Sequence, residues 1–520
     1  MLTLGNNLAR TAQLFGDRAA VCDPEASFTW QAFSDRARRA AGLLSGLGLE
    51  PGARFGIICR NSFRNAELMH GGYWAGLVPV PVNYRLAPPE IAYILDNAEV
   101  GLVAVEDVFA DFVKAPDLNR WAGRTLLIAP SKTDAAGPQY EPLLASAAPA
   151  PRHDAAEDDD ALLVYTGGTT GRAKGVRLSH RNIMINALQI AFEAKPRADD
   201  VFLHVAPMFH SADLLATPWV TAGATHVFMP KFSAPAVLAA IQEQRITCSM
   251  LTPTMIVTIL QDPGFGQYDL TSLRQVIYGS SPMAAEWIGR ALDRLPGVEF
   301  IQAYGLTETA PLLTMLGMAE HEQAVRDRDS TLLKSVGRPL PGVEMKIIDD
   351  KGRALPAGAP GEVAVRAPNV AKGYLNRPEA TAEAFRDGWF HTGDIGRVDE
   401  RGYLYLLDRK KDLIITGGEL VFSLEVEAAL YEDPKVQECA VVGVPDETYG
   451  EALLAAVVPA PGATLTPEEI VEHCRGRIGG YKIPRRFVFL DELPKSAMNK
   501  VLKHELRRIF SETATNEATT

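Results

Sequence analysis

The sequence has little of what marks secreted, membrane-spanning or nucleic-acid-binding proteins. It contains five cysteines in 520 residues and no C-x-x-C pair, which argues against a disulfide framework and against a zinc site. No apolar run approaches the roughly 18 residues that a membrane span requires. The N-terminus also lacks the basic start and the continuous apolar stretch of a signal peptide. These absences predict a cytoplasmic protein whose cysteines are free thiols.

Positive charge is in the minority as well. Lys and Arg number 52 against 64 Asp and Glu, a formal net charge of −12. Because contacts to nucleic-acid phosphates need clustered Lys and Arg, this balance argues against nucleic acid as the main partner. Hydrophobic residues make up 47% and charged residues 22% of the chain, as in a globular protein with several cores. At about 150 residues per domain, the length predicts roughly three or four domains.

Strand-like and helix-like patterns alternate along most of the chain, which is typical of α/β proteins with parallel sheets flanked by helices. The texture changes from about Val336 to short strands and Gly/Pro turns, which predicts a small antiparallel sheet or barrel. After Asp412 strands and helices alternate again, so the remainder is predicted to form a small α+β domain. Strands are predicted at 54–59, 77–82, 101–105, 126–129, 201–205, 225–229, 247–251, 275–278 and 299–303, with helices at 33–47, 234–244 and 284–295.

A strand leads directly into a Gly/Thr-rich loop and a lysine at 165–175, Y-T-G-G-T-T-G-R-A-K-G. Glycines let backbone amides approach an anion, while threonine hydroxyls and Lys174 add donors and a cation. No Walker register fits, and the alternative is a flexible Gly-rich hairpin loop. Three threonines and a lysine within nine residues exceed what flexibility needs. The predicted polyphosphate-binding residues are Thr166, Gly167, Gly168, Thr169, Thr170, Gly171 and Lys174.

This loop resembles the phosphate loop of the AMP-forming adenylate synthetases, the superfamily of acyl-CoA ligases, peptide-synthetase adenylation domains and firefly luciferase. The usual form there is Y-T-S-G-T-T-G-x-P-K-G, so the chain departs from it at Gly167 and Ala173. These departures remove one hydroxyl and loosen the turn, but the other glycines, the threonines and Lys174 remain. Within the superfamily the chain resembles the acid–CoA ligase branch, with its benzoate-type, 4-coumarate-type and fatty acyl-CoA ligases.

The segment Q-A-Y-G-L-T-E-T at 302–309 resembles the family's Y-G-x-T-E motif. The resemblance implies that Tyr304 stacks on adenine and that Thr307 contacts the α-phosphate. It also implies that Glu308 helps hold Mg²⁺, with Thr170 as a second ligand. A hard cation that bridges phosphates prefers carboxylate oxygen, although a lone glutamate is more often a solvated surface acid. Together with 278–282, the resemblance also places these residues around the nucleotide: Gly279, Ser280, Ser281, Pro282, Ala303 and Gly305.

The ribose and hinge motifs follow in the family's order. The segment W-F-H-T-G-D resembles W-x-x-T-G-D, which implies that Asp394 accepts hydrogen bonds from both ribose hydroxyls. The two oxygens of a carboxylate match such a vicinal diol. The run D-R-K-K-D resembles the domain hinge, which implies that Arg409 also reaches the ribose and that Lys411 is the pivot. In isolation such a charge run is usually a solvated face.

The segment P-K-S-A-M-N-K resembles the C-terminal motif P-x-T-x-x-G-K, which implies that Lys500 is the catalytic lysine. Asn499 replaces the expected glycine, and asparagine also tolerates left-handed φ. Its A-x-N-K ending is reminiscent of benzoate-type ligases. The resemblance implies an N-terminal adenylation domain at 1–408, a hinge at 409–411 and a C-terminal domain at 412–520 that carries Lys500 and a CoA-facing loop.

The acyl and CoA sites follow from the same resemblance. P-M-F-H at 207–210 resembles the P-x-x-H motif, which implies that His210 gates or orients the substrate carboxylate, with a structural histidine as the alternative. The wall segments are small and apolar and contain no Lys or Arg, so a hydrophobic monocarboxylate is expected. The implied acyl-pocket residues are His210, Ser211, Leu214, Gly279, Ala303 and Leu306, and the CoA-facing ones are Gly417, Gly418, Tyr481 and Arg485.

The sequence therefore predicts a carboxylic acid–CoA ligase that forms an acyl-adenylate from ATP and then a thioester. ATP, Mg²⁺ and coenzyme A are the expected cofactors, a small carboxylic acid is the expected partner, and a homodimer is compatible with the sequence. The alternatives are an enzyme that loads a carrier protein, a luciferase-like oxidase and a non-catalytic nucleotide-binding protein. No carrier domain follows Lys500, which disfavours the first, and the joint presence of Lys500, Asp394 and Glu308 argues against the last.

Overall fold

The computed structural model describes residues 1–22, 25–128, 138–166, 172–210, 214–281, 283–327, 330–496 and 501–517, without the side chains of 330 and 512–517. The fold is α/β, with a large N-terminal region of mostly parallel sheets, a small antiparallel sheet and a C-terminal α+β region. The predicted fold class is confirmed. Within the described residues, no helix combines the length and the apolar character that crossing a bilayer requires.

The largest sheet is parallel at its centre and carries two antiparallel strands at one edge and one at the other. Its central strands are buried along most of their length, which explains their continuous runs of apolar residues. In spatial order the strands are Arg338–Pro339, Thr314–Leu316, Glu299–Tyr304, Gln275–Gly279, Cys248–Leu251, Val201–His204, Thr225–Phe228, Ala19–Cys22 and Ser27–Thr29.

A second parallel sheet and a separate hairpin complete the N-terminal layers. The hairpin joins Asp160–Thr166 to Lys174–Ser179, so the Gly/Thr-rich segment connects its two strands. The second sheet is formed, in spatial order, by Val78–Pro81, Arg54–Ile58, Leu102–Glu106 and Thr125–Ile128.

Many helices begin directly after a Ser or Thr whose side chain caps the first turn by accepting a backbone N–H three residues on. These caps are Thr3, Thr29, Ser62, Ser179, Ser233, Thr252 and Thr466. The α-helices of the N-terminal region are Leu4–Phe15, Trp30–Gly46, Phe63–Ala75, Pro88–Asn97, Tyr140–Ser146, His180–Ala194, Thr217–Ala222, Ala234–Gln244, Pro253–Gln261, Ala285–Arg294, Met318–Asp327, Ser330–Leu333 and Pro378–Ala384. Short 3₁₀ turns lie at Asp107–Lys114, Asn119–Arg124, Leu214–Ala216, Phe265–Gln267, Thr307–Thr309, Lys410–Asp412 and Gly480–Lys482.

The short strands and Gly/Pro turns that begin at about Val336 form the predicted antiparallel sheet. Its long central strand, Trp389–Val398, carries the T-G-D segment and pairs with the strand that ends at Arg409. The sheet is formed by Glu344–Ile348, Gly361–Arg366, Phe385–Arg386, Trp389–Val398 and Leu404–Arg409.

The C-terminal region has its own core around two long antiparallel strands, Val436–Asp446 and Gly450–Pro459. Helices Ser423–Tyr431 and Pro467–Cys474 cover one face, and Lys503–Glu517 covers the other through Leu506. The hairpin Ile414–Thr416 and Glu419–Val421 adds to one edge, and Arg486–Phe489 pairs in parallel with Gly450–Pro459. This is the small α+β domain that the sequence predicts.

Candidate active site

The strands Gln275–Gly279 and Glu299–Tyr304 are parallel neighbours whose carboxyl ends meet at one edge of the largest sheet, where open α/β sheets bind ligands. Gly279 lies opposite Ala303, and a Cβ at Gly279 would lie 2.2 Å from the carbonyl oxygen of Ala303. Ser280 follows with φ of 71°, a left-handed conformation. A Cβ at Gly305 would lie 2.0 Å from the carbonyl oxygen of Pro311. These steric limits explain the small residues of both motifs.

Tyr304, Asp394 and Arg409 meet beside these strand ends, although 105 positions separate the first from the last. The Tyr304 hydroxyl donates a hydrogen bond to Asp394 Oδ2 at 2.8 Å. Arg409 Nε lies 3.0 Å from Asp394 Oδ1. Asp394 is 4% exposed, and its backbone N–H donates to Thr392 Oγ1 of the same T-G-D turn. The carboxylate is therefore held at both oxygens.

Charge and burial shift the proton affinities of this cluster. Burial and the adjacent Asp394 carboxylate raise the pKa of Tyr304 well above its usual value. The negative charge of Asp394 raises the pKa of Arg409. The cluster consequently presents a neutral phenol, a carboxylate and a permanent cation, a set that can hydrogen-bond a ribose diol and offset nearby phosphate charge.

Glu308 is buried, with 8% of its surface exposed, so it is not a solvated surface acid. It lies in the 3₁₀ turn Thr307–Thr309 directly after the strand that carries Tyr304. The Tyr374 hydroxyl donates a hydrogen bond to Glu308 Oε1 at 2.9 Å. Among the residues that the structure describes, no Lys, Arg or His forms a salt bridge with Glu308. A buried carboxylate that forms no salt bridge with any described residue fits a metal ion.

The base of the phosphate hairpin lies next to this carboxylate. Thr166 and Lys174 face each other as Cα partners where the two strands enter the loop. The Lys174 ammonium lies 4.9 Å from the centroid of the Tyr374 ring, close enough for a cation–π interaction. The predicted site residues Gly167, Gly168, Thr169, Thr170, Gly171, Ser211, Pro282 and Lys500 lie outside the described residues.

The turn that carries His210 is fixed from the second parallel sheet. Asn61, 5% exposed, donates through Nδ2 to the carbonyl oxygens of His204 and Ala206. Its Oδ1 accepts the backbone N–H of Met208 at 2.8 Å. The backbone N–H of His210 then donates to the carbonyl oxygen of Pro207. One side-chain amide thus holds the strand end and the turn from which His210 projects.

Apart from His210, the described residues of the predicted acyl pocket have no polar side chain. Leu214 and Ala303 are buried, and Leu306 packs against the core cluster that contains Ala303. A cation that sequence reasoning missed lies nearby: the exposed Arg85 guanidinium is 5.8 Å from the ring centroid of Phe209, the residue before His210.

A family model described as AMP-binding enzyme matches residues 8–375, and one described as AMP-binding enzyme C-terminal domain matches residues 425–500. The chain belongs to the AMP-binding enzymes. Its relatives identify it as an AMP-forming ligase of the acyl-CoA synthetase class. The family resemblance read from the motifs is confirmed.

Three comparisons illustrate the likeness. A feruloyl-CoA synthase of Amycolatopsis sp is 37% identical over 509 residues, covering 98% of this chain and 99% of the relative. A fatty acid–[acyl-carrier-protein] ligase, ScoC of Streptomyces coeruleorubidus, is 36% identical, covering 95% of this chain and 93% of the relative. The crystal structure of ATP-bound MatB from Rhodopseudomonas palustris superposes with a TM-score of 0.88 at 32% identity, covering 98% of this chain and 99% of that one.

In this AMP-binding enzyme the charged run 408–412 divides its ion pairs between the two regions. Arg409 binds Asp394, and Lys410 Nζ lies 3.2 Å from Asp350 and 3.3 Å from Glu362, all in the N-terminal region. Asp412, in contrast, binds Arg507 of the last helix at 2.8 Å. Lys411 lies between the two sets and is exposed.

Two of the predicted CoA-facing residues, Gly417 and Arg485, contact a residue of the C-terminal region that the sequence reasoning missed, Tyr449. Gly417 and Gly418 form the turn of a hairpin with φ of 58° and 83°, and the Gly417 N–H donates to the Tyr449 carbonyl. The Arg485 guanidinium lies 3.7 Å from the centroid of the Tyr449 ring. Tyr481 is 42% exposed in the preceding 3₁₀ turn.

No spacing in the sequence points to Asn61, Tyr374 or Tyr449. Each belongs to a segment without a metal, phosphate or nucleophile pattern. Asn61 and Tyr374 reach the site through hydrogen bonds that span more than sixty positions. Tyr449 lies beside Gly417 only after the Gly417–Gly418 hairpin has formed. Their signal is tertiary.

Proposed function

We propose that this ligase joins a hydrophobic monocarboxylic acid, aryl or fatty, to coenzyme A through an acyl-adenylate. The observation that carries the proposal is the buried Tyr304–Asp394 pair, with the Arg409 side chain bound to Asp394, beside the carboxyl ends of two parallel strands. The buried Glu308 follows four residues after Tyr304. It supplies an aromatic ring, a diol acceptor and a metal-binding carboxylate within one edge of the sheet, as an adenosine polyphosphate requires.

In the first step a carboxylate oxygen of the acid attacks the α-phosphorus of ATP. An O–P bond forms to give the acyl-adenylate, and the bond to the bridging oxygen breaks so that pyrophosphate leaves with the electron pair. Both reactants are anions, so the site must offset charge that develops as they approach. Lys174, Lys500 and the amides of the Gly/Thr loop are the groups we assign to this task, with Asp394 and Arg409 holding the ribose.

The donor set around Glu308 fits Mg²⁺. The described residues contain no group of three or more His, Cys, Asp or Glu side chains that could hold a metal ion. Mg²⁺ commonly binds through one or two carboxylates, waters and substrate phosphates, so a single buried glutamate beside the phosphate loop is sufficient. Glu308, with Thr170 as second ligand, would hold the ion, which supplies charge neutralisation at the phosphates.

In the second step the CoA sulfur attacks the acyl carbon. The C–S bond forms, the thiol proton passes to solvent, and the acyl C–O bond breaks so that AMP leaves with the electron pair. Gly417 and Gly418 offer a turn without side chains for pantetheine, and Arg485 with Tyr449 offers a cation and a ring for the nucleotide end of CoA. Tyr481, which is 42% exposed, is a further aromatic side chain that we assign to CoA.

The acid is proposed to be hydrophobic because Leu214, Ala303 and Leu306 offer no hydrogen-bond donor to a second polar group. A feruloyl-CoA synthase among the relatives supports an aryl acid, and a fatty acid ligase supports an alkyl chain. The exposed Arg85 guanidinium lies 5.8 Å from the ring centroid of Phe209, so a diacid is a useful contrast substrate.

The second candidate acceptor is a carrier protein, which the name of one relative specifies. The Gly417–Tyr449–Arg485 cluster favours CoA, since a guanidinium stacked on a tyrosine is suited to a phosphorylated nucleotide. Both acceptors carry the same pantetheine thiol, so the acceptor needs a direct test.

The experiment is a panel of aryl, branched, linear and dicarboxylic acids with MgATP, scored for AMP and pyrophosphate with and without CoA. The expected result is pyrophosphate release with hydrophobic monocarboxylates and CoA-dependent thioester formation. ADP formation would refute the adenylate mechanism, and thioester formation on a carrier protein but not on CoA would refute the acceptor. Oxygen-dependent light emission would identify a luciferase-like activity.

A further inference from the structure

Tyr374 lies between two groups that the proposed chemistry uses at the phosphate end of ATP. Its hydroxyl donates to Glu308 Oε1 at 2.9 Å, and its ring face lies 4.9 Å from the Lys174 ammonium. Hydroxyl and ring therefore contact different partners, one a predicted metal ligand and the other a predicted phosphate cation. None of the motifs read from the sequence contains this tyrosine.

The backbone around Tyr374 is attached to both partners. The Ala371 N–H donates to the carbonyl oxygen of Glu308 at 2.8 Å. Tyr374 forms an antiparallel bridge with Val176, and the Leu375 N–H donates to the carbonyl oxygen of Gly175, next to Lys174. The segment 371–375 is consequently hydrogen-bonded through its backbone both to the Glu308 turn and to the strand that follows the phosphate loop.

The ring itself is held in place. The Tyr374 N–H donates to Thr381 Oγ1 at 3.0 Å. The Phe385 ring packs against the Tyr374 ring edge-to-face, with 5.7 Å between centroids. A side chain fixed in this way can impose an orientation on the groups that it contacts.

The hydroxyl acts on Glu308 as a neutral donor. A phenol hydroxyl carries a proton that it can donate to a carboxylate oxygen. A hydrogen bond to Oε1 restrains the carboxylate plane, and we assign Oε2 to the cation. Groups that orient a metal ligand in this manner affect metal affinity by roughly 10–100-fold when they are removed.

We propose that Tyr374 is a positioning residue for the metal–phosphate end of the nucleotide site, with its hydroxyl orienting Glu308 for Mg²⁺ and its ring face holding the Lys174 ammonium near the phosphates. This inference rests on the proposed function, since it takes Glu308 as the metal-binding carboxylate.

Two substitutions separate the two contacts. Tyr374→Phe removes the hydroxyl and keeps the ring, whereas Tyr374→Leu removes both. Tyr140→Phe is the matched control, because the Tyr140 hydroxyl also donates to a buried glutamate, Glu67 Oε2, at 2.6 Å, but in the N-terminal helices. Tyr140 and Glu67 are both fully buried, so this substitution reports what losing a buried tyrosine–glutamate hydrogen bond does to the fold alone.

The measurements are ATP affinity by calorimetry, with Mg²⁺ and with EDTA, and the Mg²⁺ concentration that half-saturates ATP–pyrophosphate exchange. For Tyr374→Phe we expect that Mg²⁺ concentration to rise about 10-fold, the lower end of the range for removing a group that orients a metal ligand. ATP affinity in EDTA should be unchanged. Tyr374→Leu should in addition lose metal-free ATP affinity, since Lys174 is released. Tyr140→Phe should change neither quantity.

A double-mutant cycle tests the route of the effect. In a Glu308→Gln background, Tyr374→Phe should cause no further change in Mg²⁺ dependence, because the hydroxyl acts through that carboxylate. An unchanged Mg²⁺ requirement in Tyr374→Phe, or an equal loss of ATP affinity in EDTA, would overturn the proposal. Tyr374→Phe could lower the melting temperature more than Tyr140→Phe does. The double-mutant cycle still tests the proposal in that case, because it compares the effect of the same Tyr374→Phe substitution with and without the Glu308 carboxylate. Failure of the proposed function looks different: the unmodified enzyme would then show no Mg²⁺-dependent ATP binding at all.

Discussion

Asp394 and Arg409 are Cα partners on adjacent antiparallel strands, and their side chains form an ion pair with 3.0 Å between Oδ1 and Nε. The first belongs to the T-G-D turn, and the second lies in the charged run 408–412 that leads to the C-terminal region. The residue assigned to the ribose is therefore linked directly to the start of the predicted hinge. A nucleotide bound at Asp394 would contact the last structural element before the chain leaves the N-terminal region.

The first prediction concerns the ribose. Asp394→Asn keeps the size of the side chain but removes the charge and one acceptor oxygen. Hydrogen bonds to charged groups contribute about 1.5–3 kcal/mol, so ATP affinity should fall roughly 10–100-fold. Calorimetric titration with ATP measures this loss. The comparison nucleotide is 2′-deoxyATP, which should bind more weakly than ATP to the unmodified enzyme but nearly as well as ATP to Asp394→Asn. An unchanged discrimination against 2′-deoxyATP would show that Asp394 does not contact the diol.

The second prediction concerns Lys411, which lies between ion pairs made to the N-terminal region and one made to Arg507. Adenylation and thioester formation are proposed to use Lys500 and the Gly417–Gly418 turn in succession. Both lie on the C-terminal region, so we expect that region to rotate between the two steps. Proline fixes φ near −65° and removes the amide hydrogen, so Lys411→Pro should leave adenylation within several-fold and lower CoA-dependent turnover on the order of 100-fold or more.

Lys411→Ala is the control for the lost charge, and it should keep both half-reactions. Pyrophosphate exchange reports the first half-reaction, and thioester formation from supplied acyl-adenylate reports the second. Equal behaviour of the proline and alanine variants would contradict the two-conformation interpretation, as would a proline variant that loses adenylation first.

The third prediction concerns Lys500. If its ammonium offsets charge on the acid and on the α-phosphate, Lys500→Ala should slow acyl-adenylate formation by roughly 10²–10³-fold, the scale of removing one transition-state donor. Thioester formation from supplied acyl-adenylate should change much less. A comparable loss in both half-reactions would show that Lys500 has a structural role or serves both steps.

The fourth prediction concerns Asn61, which holds the turn before His210 with two donated hydrogen bonds and one accepted. Asn61→Asp keeps the acceptor for the Met208 N–H but loses both donors, so the turn should lose its attachment to the strand end. We expect the KM for the acid to rise about 10-fold, because each buried polar group left unpaired costs about 1–3 kcal/mol. The KM for ATP should stay within two- to three-fold, on the order of a weak indirect effect. Equal increases for both substrates would indicate general damage to the fold.

The fifth prediction concerns acid stability. His204 and His226 are buried side by side, with 2.9 Å between Nε2 and Nδ1. Burial lowers the pKa of His204 to about 3 and that of His226 well below its usual value, so both are neutral in the folded state. Below pH 6.5 the unfolded chain takes up protons that the folded protein does not bind. The free energy of unfolding should therefore decrease as the pH is lowered below 6.5, by up to about 1.4 kcal/mol per pH unit for each histidine. The test compares urea unfolding of the enzyme and of a His204→Leu/His226→Leu variant between pH 7 and 5, where the variant should have the shallower slope.

Much of the fold follows from local sequence patterns. The helix Ala234–Gln244 has the predicted bounds, and the strands predicted at 201–205 and 299–303 are found at Val201–His204 and Glu299–Tyr304. These elements are predictable because a Ser or Thr cap starts a helix and a short apolar run bounded by turn residues forms a buried strand. The change to antiparallel structure after Val336 follows from Gly/Pro turns, which are equally local.

The family and the main nucleotide-site residues also follow from sequence, because residue types at fixed spacing recur in the Gly/Thr loop, Y-G-L-T-E and W-F-H-T-G-D. Their mutual positions do not. That the Tyr304 hydroxyl reaches Asp394, ninety positions away, and that Tyr374 reaches back to Glu308, depends on how two sheets pack. Hydrogen bonds of this kind produce no recurring pattern in the sequence. Each involves a single side chain, and its partner is determined by the tertiary fold and not by the residues next to it in the sequence.

What the sequence by itself determined is thus the order of strands and helices, the reaction class and the residue types at the nucleotide. What only the tertiary structure decided is which side chains hold those residues in place: Tyr374 on Glu308, Asn61 on the His210 turn, and Tyr449 beside Gly417 and Arg485. The physical reason is that chemistry constrains which residue type a reaction needs, and such a requirement is visible as a motif. A supporting contact requires only a donor or a ring at the right point in space, and any segment that packing brings to that point can supply it.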